Sequence, residues 1–362
     1  MAEIPPPLKI HPPLTNTACP WATTLDDLRQ LYECPSTGAV TTRTSLIHGF
    51  DHDPSRHQYS LFDVTSHASN PVDTSPVPQA NSSINSLGYS HIVLATYLEF
   101  LKIISTENPT NPRNKTFIVS VTGLPEDIIQ CYSLIAAAAP DLAFPVAMEI
   151  NLSCPNIPNR PPPAYTREGV ASYLAAIQTA VSNSSLPHLP VGIKTPPYTY
   201  ISQYEALFSA LEDSAAASPN RLCPLSFITA TNTLGSCLVL SDSSQSGLTH
   251  QPVLPFNSTH SPATTDKPYT MGITTGGLGG VAGAPLHPLA LGNVCTIRRM
   301  LDASKGKGLK HIQIIGVGGV LDAEGYMRMR AAGADVVGLA TGLGILGREV
   351  FEGIERGLKN GW

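Results

Sequence analysis

Asparagine side chains follow several short apolar runs of the sequence, at the positions where each run gives way to a loop. Asn151 and Asn156 flank Cys154 in one such segment, EINLSCPN, and Lys194 ends the next run along the chain. An asparagine amide offers donors and an acceptor without net charge, so several together suit a planar ligand rich in carbonyl and amide groups. The residues of this kind are Asn85, Asn151, Asn156, Asn232 and the adjacent Thr233.

Cys154 lies directly after an apolar run, where an exposed thiol can act as a base or a nucleophile. Lone cysteines are more often inert, and asparagines at strand ends also cap turns. The proline-rich segment PNIPNRPPPAY that follows Cys154 predicts a loop able to close over a site. The residues alone therefore leave both a catalytic and a structural interpretation of Cys154 open.

Two glycine-rich segments near the C-terminus predict a phosphate site. Gly316, Gly318 and Gly319 follow one apolar run, and Ala340-Thr341-Gly342 follows the next. Backbone N–H groups exposed by glycine ahead of a helix bind phosphate, and barrels commonly do this in the loops after their last two strands. A third cluster, Gly276 to Gly280, follows no strand directly, so we expect a flap or a close backbone approach to a ligand.

Eight short apolar or β-branched runs alternate with helical stretches, which is typical of βα units and a parallel sheet. Because eight strands in this order favour a closed barrel over a doubly wound sheet, we predict an α/β fold of the (β/α)8 TIM-barrel type. Helix starts are predicted after Thr24, at Pro125 and after Asp322. The predicted strands are Leu14–Ala18, Ala39–Arg43, Thr116–Val121, Ala147–Leu152, Val191–Lys194, Phe227–Thr231, Ile312–Gly316 and Val336–Ala340.

The chain has 362 residues, whereas a barrel typically uses about 250, so a substantial part must be insertions. We assign residues 1–362 to one barrel domain. Two polar, proline-containing flap insertions are expected at about 44–90 and 236–275. Both follow predicted strands, so both should lie over the C-terminal mouth, where barrel active sites form.

Composition excludes several classes of protein. The 22 basic and 27 acidic residues give a net charge of -5 without a basic cluster, which argues against nucleic-acid or anionic-membrane binding. No secretory signal or membrane-spanning stretch is apparent. The 7 cysteines are scattered and never spaced CxxC, and the segment from His48 to Asp53 lacks the spacing that preorganises metal ligands. We therefore expect a cytoplasmic protein with a small-molecule ligand and no metal.

Taken together, these segments resemble class 1 dihydroorotate dehydrogenase, the FMN enzyme of pyrimidine synthesis. The resemblance rests on EINLSCPNIP from Glu149, GIKTPPY from Gly192, SINSLG from Ser83, GGLGG from Gly276, and IIGVGG followed by GADVVGLATGLG. The cysteine in NLSCPN is typical of class 1, because class 2 enzymes have serine there and an N-terminal extension. Without an iron–sulfur or NAD-module signature the resemblance is to class 1A, which implies a cytosolic homodimer that passes electrons to fumarate.

The resemblance implies oxidation of (S)-dihydroorotate to orotate in UMP biosynthesis, with FMN as cofactor. It implies that Cys154 removes the C5 proton while the C6 hydride passes to FMN, and that Lys194 stabilises negative charge on the reduced flavin. The residues it assigns to the substrate are Arg43, Asn85, Asn151, Asn156, Asn232 and Thr233. Those it assigns to FMN are Ala18, Cys19, Arg43, Ser86, Lys194, Gly280, Gly316, Gly318, Gly319, Ala340 and Thr341.

The sequence departs from the family pattern at several of these positions. Arg43 stands where the family usually has lysine, and Asn159-Arg160 where it usually has glycine-lysine. Ala340-Thr341 replaces a glycine-threonine pair, and the segment from Asn16 reads NTAC in place of Asn-Ala-Ser-Gly. Two alternatives therefore stay open, namely a diverged FMN-barrel oxidoreductase acting on another cyclic amide or enone, and a non-catalytic flavin- or phosphate-binding barrel.

Overall fold

The computed structural model describes residues 5–69, 79–109, 114–157, 161–182, 186–242, 269–271, 273, 278–304, 306–358 and 361–362. The strands in this part of the chain are β1 (Leu14–Asn16), β2 (Ala39–Thr41), β3 (Tyr59–Phe62), β4 (Ser82–Asn85), β5 (Thr116–Val121), β6 (Val146–Asn151), β7 (Val191–Thr195), β8 (Phe227–Ala230), β9 (Leu234–Leu238), β10 (Leu240–Asp242), β11 (Tyr269–Met271), β12 (Leu278–Gly283), β13 (Gln313–Val317) and β14 (Val336–Leu339).

Eight of these strands, β1, β2, β5, β6, β7, β8, β13 and β14, form a closed parallel barrel. All eight strands predicted from the sequence are barrel strands, and their ends differ from the predicted ones by at most two residues. The ring closes because β1 pairs in parallel with both β14 and β2. The prediction of a (β/α)8 barrel is confirmed.

The helices surround the barrel and begin largely where the sequence predicts them. Thr24 caps α1 through a reciprocal pair of hydrogen bonds with Asp27, and Asp322 caps α7 by accepting from the backbone of Gly325. No helix in the described part of the chain is long and apolar enough to cross a membrane. The helices are α1 (Leu25–Glu33), α2 (Leu94–Glu107), α3 (Pro125–Ala138), α4 (Arg167–Ser182), α5 (Ile201–Ala217), α6 (His287–Ala303), α7 (Ala323–Ala331), α8 (Thr341–Leu346) and α9 (Glu349–Gly357).

The interior of the barrel changes from apolar to polar along its axis. Alternate residues of a strand share a face, so on β6 the side chains of Ala147, Glu149 and Asn151 follow one another up the interior. Ala147 belongs to a small apolar cluster that Leu8, from the N-terminal segment, closes at the bottom. Glu149 and Asn151 are buried above it. The polar upper half is therefore available for a ligand site.

A four-stranded antiparallel sheet, in the order β3-β4-β12-β9, lies over the mouth of the barrel. Strands β3 and β4 come from the first predicted insertion, and β4 pairs with β12 so that Asn85 lies opposite Gly280. Strands β10 and β11 form a separate antiparallel pair in the second insertion. Most of the polar loop expected there, residues 243–268, lies outside the described residues, and the assignment of the full chain to one domain stays a prediction.

Candidate active site

A cavity of about 730 Å³, including its open mouth, lies at the C-terminal end of the barrel strands. Its walls come from the ends of six barrel strands and from the sheet above them. Chain segments far apart in sequence converge here because the carboxyl ends of parallel strands meet at one end of the barrel. The predicted site residues that line it are Ala18, Cys19, Arg43, Asn85, Asn151, Cys154, Asn156, Lys194, Asn232, Thr233, Ala340 and Thr341.

A second cavity of about 440 Å³ adjoins the first and shares Lys194 and Thr341 with it. Gly318 and Gly319 form part of its wall, both with positive φ, of 140° and 71°. A Cβ atom on Gly319 would lie 2.5 Å from the carbonyl oxygen of Gly283, so only glycine fits this turn. The two predicted phosphate segments therefore face one cavity beside the central one.

Three predicted cofactor residues do not line either cavity. The Ser86 hydroxyl donates to the Arg56 carbonyl at 2.7 Å and so holds the loop that precedes β3. A Cβ on Gly280 would lie 2.2 Å from Thr233 Oγ1, so this glycine allows Thr233 to approach the sheet. A Cβ on Gly316 would lie 2.7 Å from Met329 Cγ, so this glycine allows α7 to pack against the barrel.

Two cationic side chains are buried in the cavity wall. Lys194 is 3% exposed, and in the described part of the chain its ammonium group has one hydrogen-bond partner, Thr17 Oγ1 at 3.0 Å. Arg43 is 9% exposed, and its Nη2 atom has no hydrogen-bond partner among the described residues. Buried charges are normally paired, so both groups are suited to a ligand that brings negative charge or carbonyl oxygens.

Cys154 is a half-buried residue in the cavity wall, and its thiol is closely surrounded by protein atoms. This burial raises its pKa above the ordinary value for cysteine. Three groups act in the opposite direction, namely the backbone N–H of Asn156, Lys194 and Arg43. The neighbouring cations thus favour the thiolate, but desolvation of the thiol is the larger effect in this structure.

The four asparagines are held in two pairs. Asn151 accepts hydrogen bonds from the backbone and hydroxyl of Ser153, and Asn232 donates to the Ser153 hydroxyl at 2.9 Å. Asn156 donates through Nδ2 to Asn85 Oδ1 and to the carbonyl of Leu87, both at 2.9 Å. Because both hydrogens of the Asn156 amide group are used in these contacts, its Oδ1 atom is left as an acceptor for a ligand.

The two adjoining cavities also contain residues to which the sequence interpretation gives no role. Thr17 holds Lys194, and Ser83 Oγ lies 2.9 Å from Thr341 Oγ1. Trp21 and Tyr59 pack edge to face at 5.3 Å between ring centroids on the side of the sheet. Thr17 lies near the end of the predicted strand Leu14–Ala18, where a polar residue is a recognisable signal, whereas Tyr59 lies in an insertion with no recognisable pattern.

The segment after Cys154 is described only in part. Pro161, Pro162 and Pro163 line a third cavity of about 370 Å³ that also touches Cys154 and Asn151. The predicted lid residues Pro158, Asn159 and Arg160, and Gly276 and Gly277 of the third glycine cluster, lie outside the described residues.

Comparisons with known proteins agree with the barrel and with the motifs at its mouth. A family model described as dihydroorotate dehydrogenase matches residues 70–361. A Streptococcus uberis protein named as a dihydroorotate dehydrogenase A (fumarate) is 30% identical over 283 residues, which cover 78% of this chain and 73% of that protein. A Streptococcus pneumoniae protein with the same name is 30% identical over 278 residues, covering 76% and 72%. Since the family match spans most of the chain, this protein belongs to the dihydroorotate dehydrogenase family of enzymes.

Proposed function

We propose that this protein oxidises (S)-dihydroorotate to orotate, a step of UMP biosynthesis, with FMN as its cofactor. The observation that carries the proposal is that Cys154, Lys194 and Arg43 line one cavity together with four asparagines. A binding protein needs a phosphate loop but has no use for a thiol and two cations at the same opening. This argues for catalysis over the non-catalytic alternative.

The residues at the mouth fit FMN. The turn at Gly318 and Gly319 offers the free backbone that a phosphate group needs, and the adjoining cavity leads directly into the central one. The small side chains of Ala18, Cys19 and Ala340 leave space for a flat ring, and Lys194 supplies a buried positive charge. When bound, FMN supplies an acceptor for the C6 hydride of the substrate.

The polar groups of the cavity suit the substrate, which carries a carboxylate and two ring carbonyls. Arg43 keeps an unpaired Nη2 donor, and a planar guanidinium matches a carboxylate edge or a carbonyl better than an ammonium group does. Asn151 and Asn85 each keep one amide hydrogen for a carbonyl oxygen, and Asn156 offers an acceptor to a ring N–H. These contacts would orient the ring toward Cys154.

Cys154 would take the C5 proton as its thiolate. In the described structure burial favours the neutral thiol, so only a minor fraction is competent at neutral pH. Lys194 and Arg43 increase that fraction because their charges favour the thiolate. Exclusion of water by the sheet above the cavity protects the reacting carbon during the transfer.

We propose fumarate as the electron acceptor, because the relatives compared above carry it in their names. Fumarate takes up two electrons and two protons to become succinate, which balances the hydride and the proton that dihydroorotate loses. The family resemblance also favours a cytoplasmic homodimer, and both features are part of the proposal.

The proposal is tested by mixing the purified protein anaerobically with dihydroorotate and following flavin absorbance in a stopped-flow instrument. We expect the absorbance to bleach and then to return when fumarate is added. Cys154→Ser should slow the bleaching at neutral pH by at least tenfold and should change orotate affinity little. Cys295→Ser is the matched control, because Cys295 lies on α6 away from the cavity and should leave the rate unchanged.

Two outcomes would contradict the proposal. Protein that contains no flavin would exclude both flavoenzyme interpretations. Protein whose FMN is bleached by dithionite but not by dihydroorotate would favour the diverged oxidoreductase with a different cyclic substrate, for which the guanidinium of Arg43 is the most direct structural reason.

A further inference from the structure

The proposed mechanism does not use Glu149, although this carboxylate is buried in the middle of the barrel. Glu149 is 1% exposed. Its Oε1 atom accepts a hydrogen bond from Ser120 Oγ at 3.0 Å, and its Oε2 atom accepts one from Thr229 Oγ1 at 2.6 Å. Because a serine hydroxyl carries one hydrogen, Ser120 has no hydrogen left for any other acceptor.

The bond to Ser120 determines the direction of the next two hydrogen bonds. Ser120 Oγ lies 2.9 Å from Thr44 Oγ1, and since the hydrogen of Ser120 is already given to Glu149, Thr44 is the donor of this pair. The hydroxyl of Thr44 then accepts from Asn151 Nδ2 at 3.1 Å. A chain of donors therefore runs from the amide of Asn151 down to Glu149.

The same direction continues upward to the second asparagine. Ser153 Oγ donates to Asn151 Oδ1 at 2.8 Å and accepts from Asn232 Nδ2 at 2.9 Å. Two backbone N–H groups are consistent with this orientation of the amides, because Ser153 N donates to Asn151 Oδ1 at 3.1 Å and Thr233 N donates to Asn232 Oδ1 at 2.8 Å. The hydrogen bonds of every hydroxyl and amide between Asn232 and Glu149 can thus be assigned a donor and an acceptor without conflict.

We propose that Glu149 is a positioning residue that sets this donor direction and thereby selects the ligand. As the terminal acceptor it keeps Nδ2 of Asn151 turned toward Thr44, so the Oδ1 atom of Asn151 stays on Ser153. The Oδ1 atom of Asn151 is then fully occupied, so Asn151 has only one N–H left to offer to the cavity. The site accordingly favours a ring edge with carbonyl oxygens over the same edge with amino groups. The identity of the ring rests on the function proposed above.

The link between Glu149 and the asparagines can be cut without altering the carboxylate. Ser120→Ala removes the hydroxyl through which Glu149 acts, so the hydrogen of Thr44 loses its acceptor and competes with the amide of Asn151. Thr229→Val is the matched control, because it removes the other hydroxyl on the same carboxylate and leaves the chain to the asparagines intact. Replacement of Glu149 itself carries a risk of misfolding that these two variants avoid.

The ligands are orotate and two analogues in which an amino group replaces either the C2 or the C4 carbonyl oxygen, with dissociation constants measured by calorimetry. In Ser120→Ala we expect orotate to bind about tenfold more weakly, as for loss of one well-oriented hydrogen bond, and the analogues to change less. Thr229→Val should stay within about twofold of the wild type for all three ligands. Equal losses for orotate and analogues, or equal losses in the two variants, would overturn the proposal.

A measurement without ligand separates this inference from the proposed function. The side-chain amide protons of Asn151, identified by their absence in an Asn151→Asp protein, should exchange with solvent at least tenfold faster in Ser120→Ala than in Thr229→Val. Identical exchange rates would refute the role of Glu149 even if orotate binds. Wild-type protein that binds no orotate, but shows the expected exchange difference, would refute the proposed substrate and leave the donor chain standing.

Discussion

The pKa of Cys154 predicts an unusual dependence of the reductive half-reaction on pH. Burial raises this pKa, and bound dihydroorotate would raise it further because it displaces water and brings a negative charge into the cavity. A raised pKa keeps the proton on sulfur at neutral pH. The thiolate is the active form, so the rate of flavin reduction should increase as pH increases.

The size of the effect follows from the fraction of thiolate. A thiol with a pKa at or above about 9 is at most about 1% ionised at pH 7. Below its pKa this fraction increases about tenfold for each pH unit. We therefore expect the reduction rate at saturating dihydroorotate to increase about tenfold between pH 6 and 7, again between pH 7 and 8, and to be still increasing at pH 8.5.

The assay is anaerobic stopped-flow reduction at saturating dihydroorotate across this pH range. Arg43→Gln removes one of the two cations that favour the thiolate, so its profile should move to higher pH by about one unit. Arg348→Gln changes an exposed arginine outside the cavity and should leave the profile in place. A wild-type rate that already levels off at or below pH 7 would refute the reasoning, because the thiol would then have a lowered pKa.

Two further predictions concern the turn at Gly318 and Gly319, which is the proposed phosphate site, and the base of the barrel. Gly319→Ala places a Cβ against the Gly283 carbonyl at a positive φ, so we expect a lower FMN content and a lower melting temperature. In the control Gly292→Ala the new Cβ meets no atom within 4 Å, so the FMN content and the melting temperature should both equal those of the wild type. Lys115→Met removes a buried ammonium group that donates to the carbonyls of Leu31 and Cys34. Urea denaturation should therefore show a loss of about 3 kcal/mol in the free energy of unfolding. An unchanged free energy would mean that those carbonyls find other donors.

The barrel could be predicted from the sequence because buried parallel strands are nearly continuous apolar runs. Thr116–Val121 and Phe227–Ala230 are examples whose side chains are all buried. The sheet over the mouth could not be predicted in the same way. Ser82–Asn85 contains one apolar residue, Ile84, and this segment becomes a strand because β3 and β12 pair with it on either side. Its conformation depends on distant partners and not on its own pattern.

The site was predictable to the extent that residue type and strand position determine it. Asn151 and Lys194 lie at the carboxyl ends of β6 and β7, and the barrel brings them to one opening. Gly316 lies in an equally suggestive segment, but its missing side chain serves the packing of Met329. The directions of the hydrogen bonds to Asn151 depend on Ser120, which lies inside a strand that reads only as an apolar core, so the sequence carries no sign of them.

The sheet over the mouth has a consequence for how this family can change its loops. The chain leaves β3 at Phe62 and returns to β4 at Ser82 directly opposite, and it leaves β10 at Asp242 and returns to β11 at Tyr269 opposite again. At both places the two ends of the connection are already joined by a strand pair, and lengthening such a connection costs only about 0.6 kcal/mol for each doubling of its length. Evolution, or an engineer who wishes to attach a second module, can therefore add residues at these two points without displacing the strand that carries Asn85.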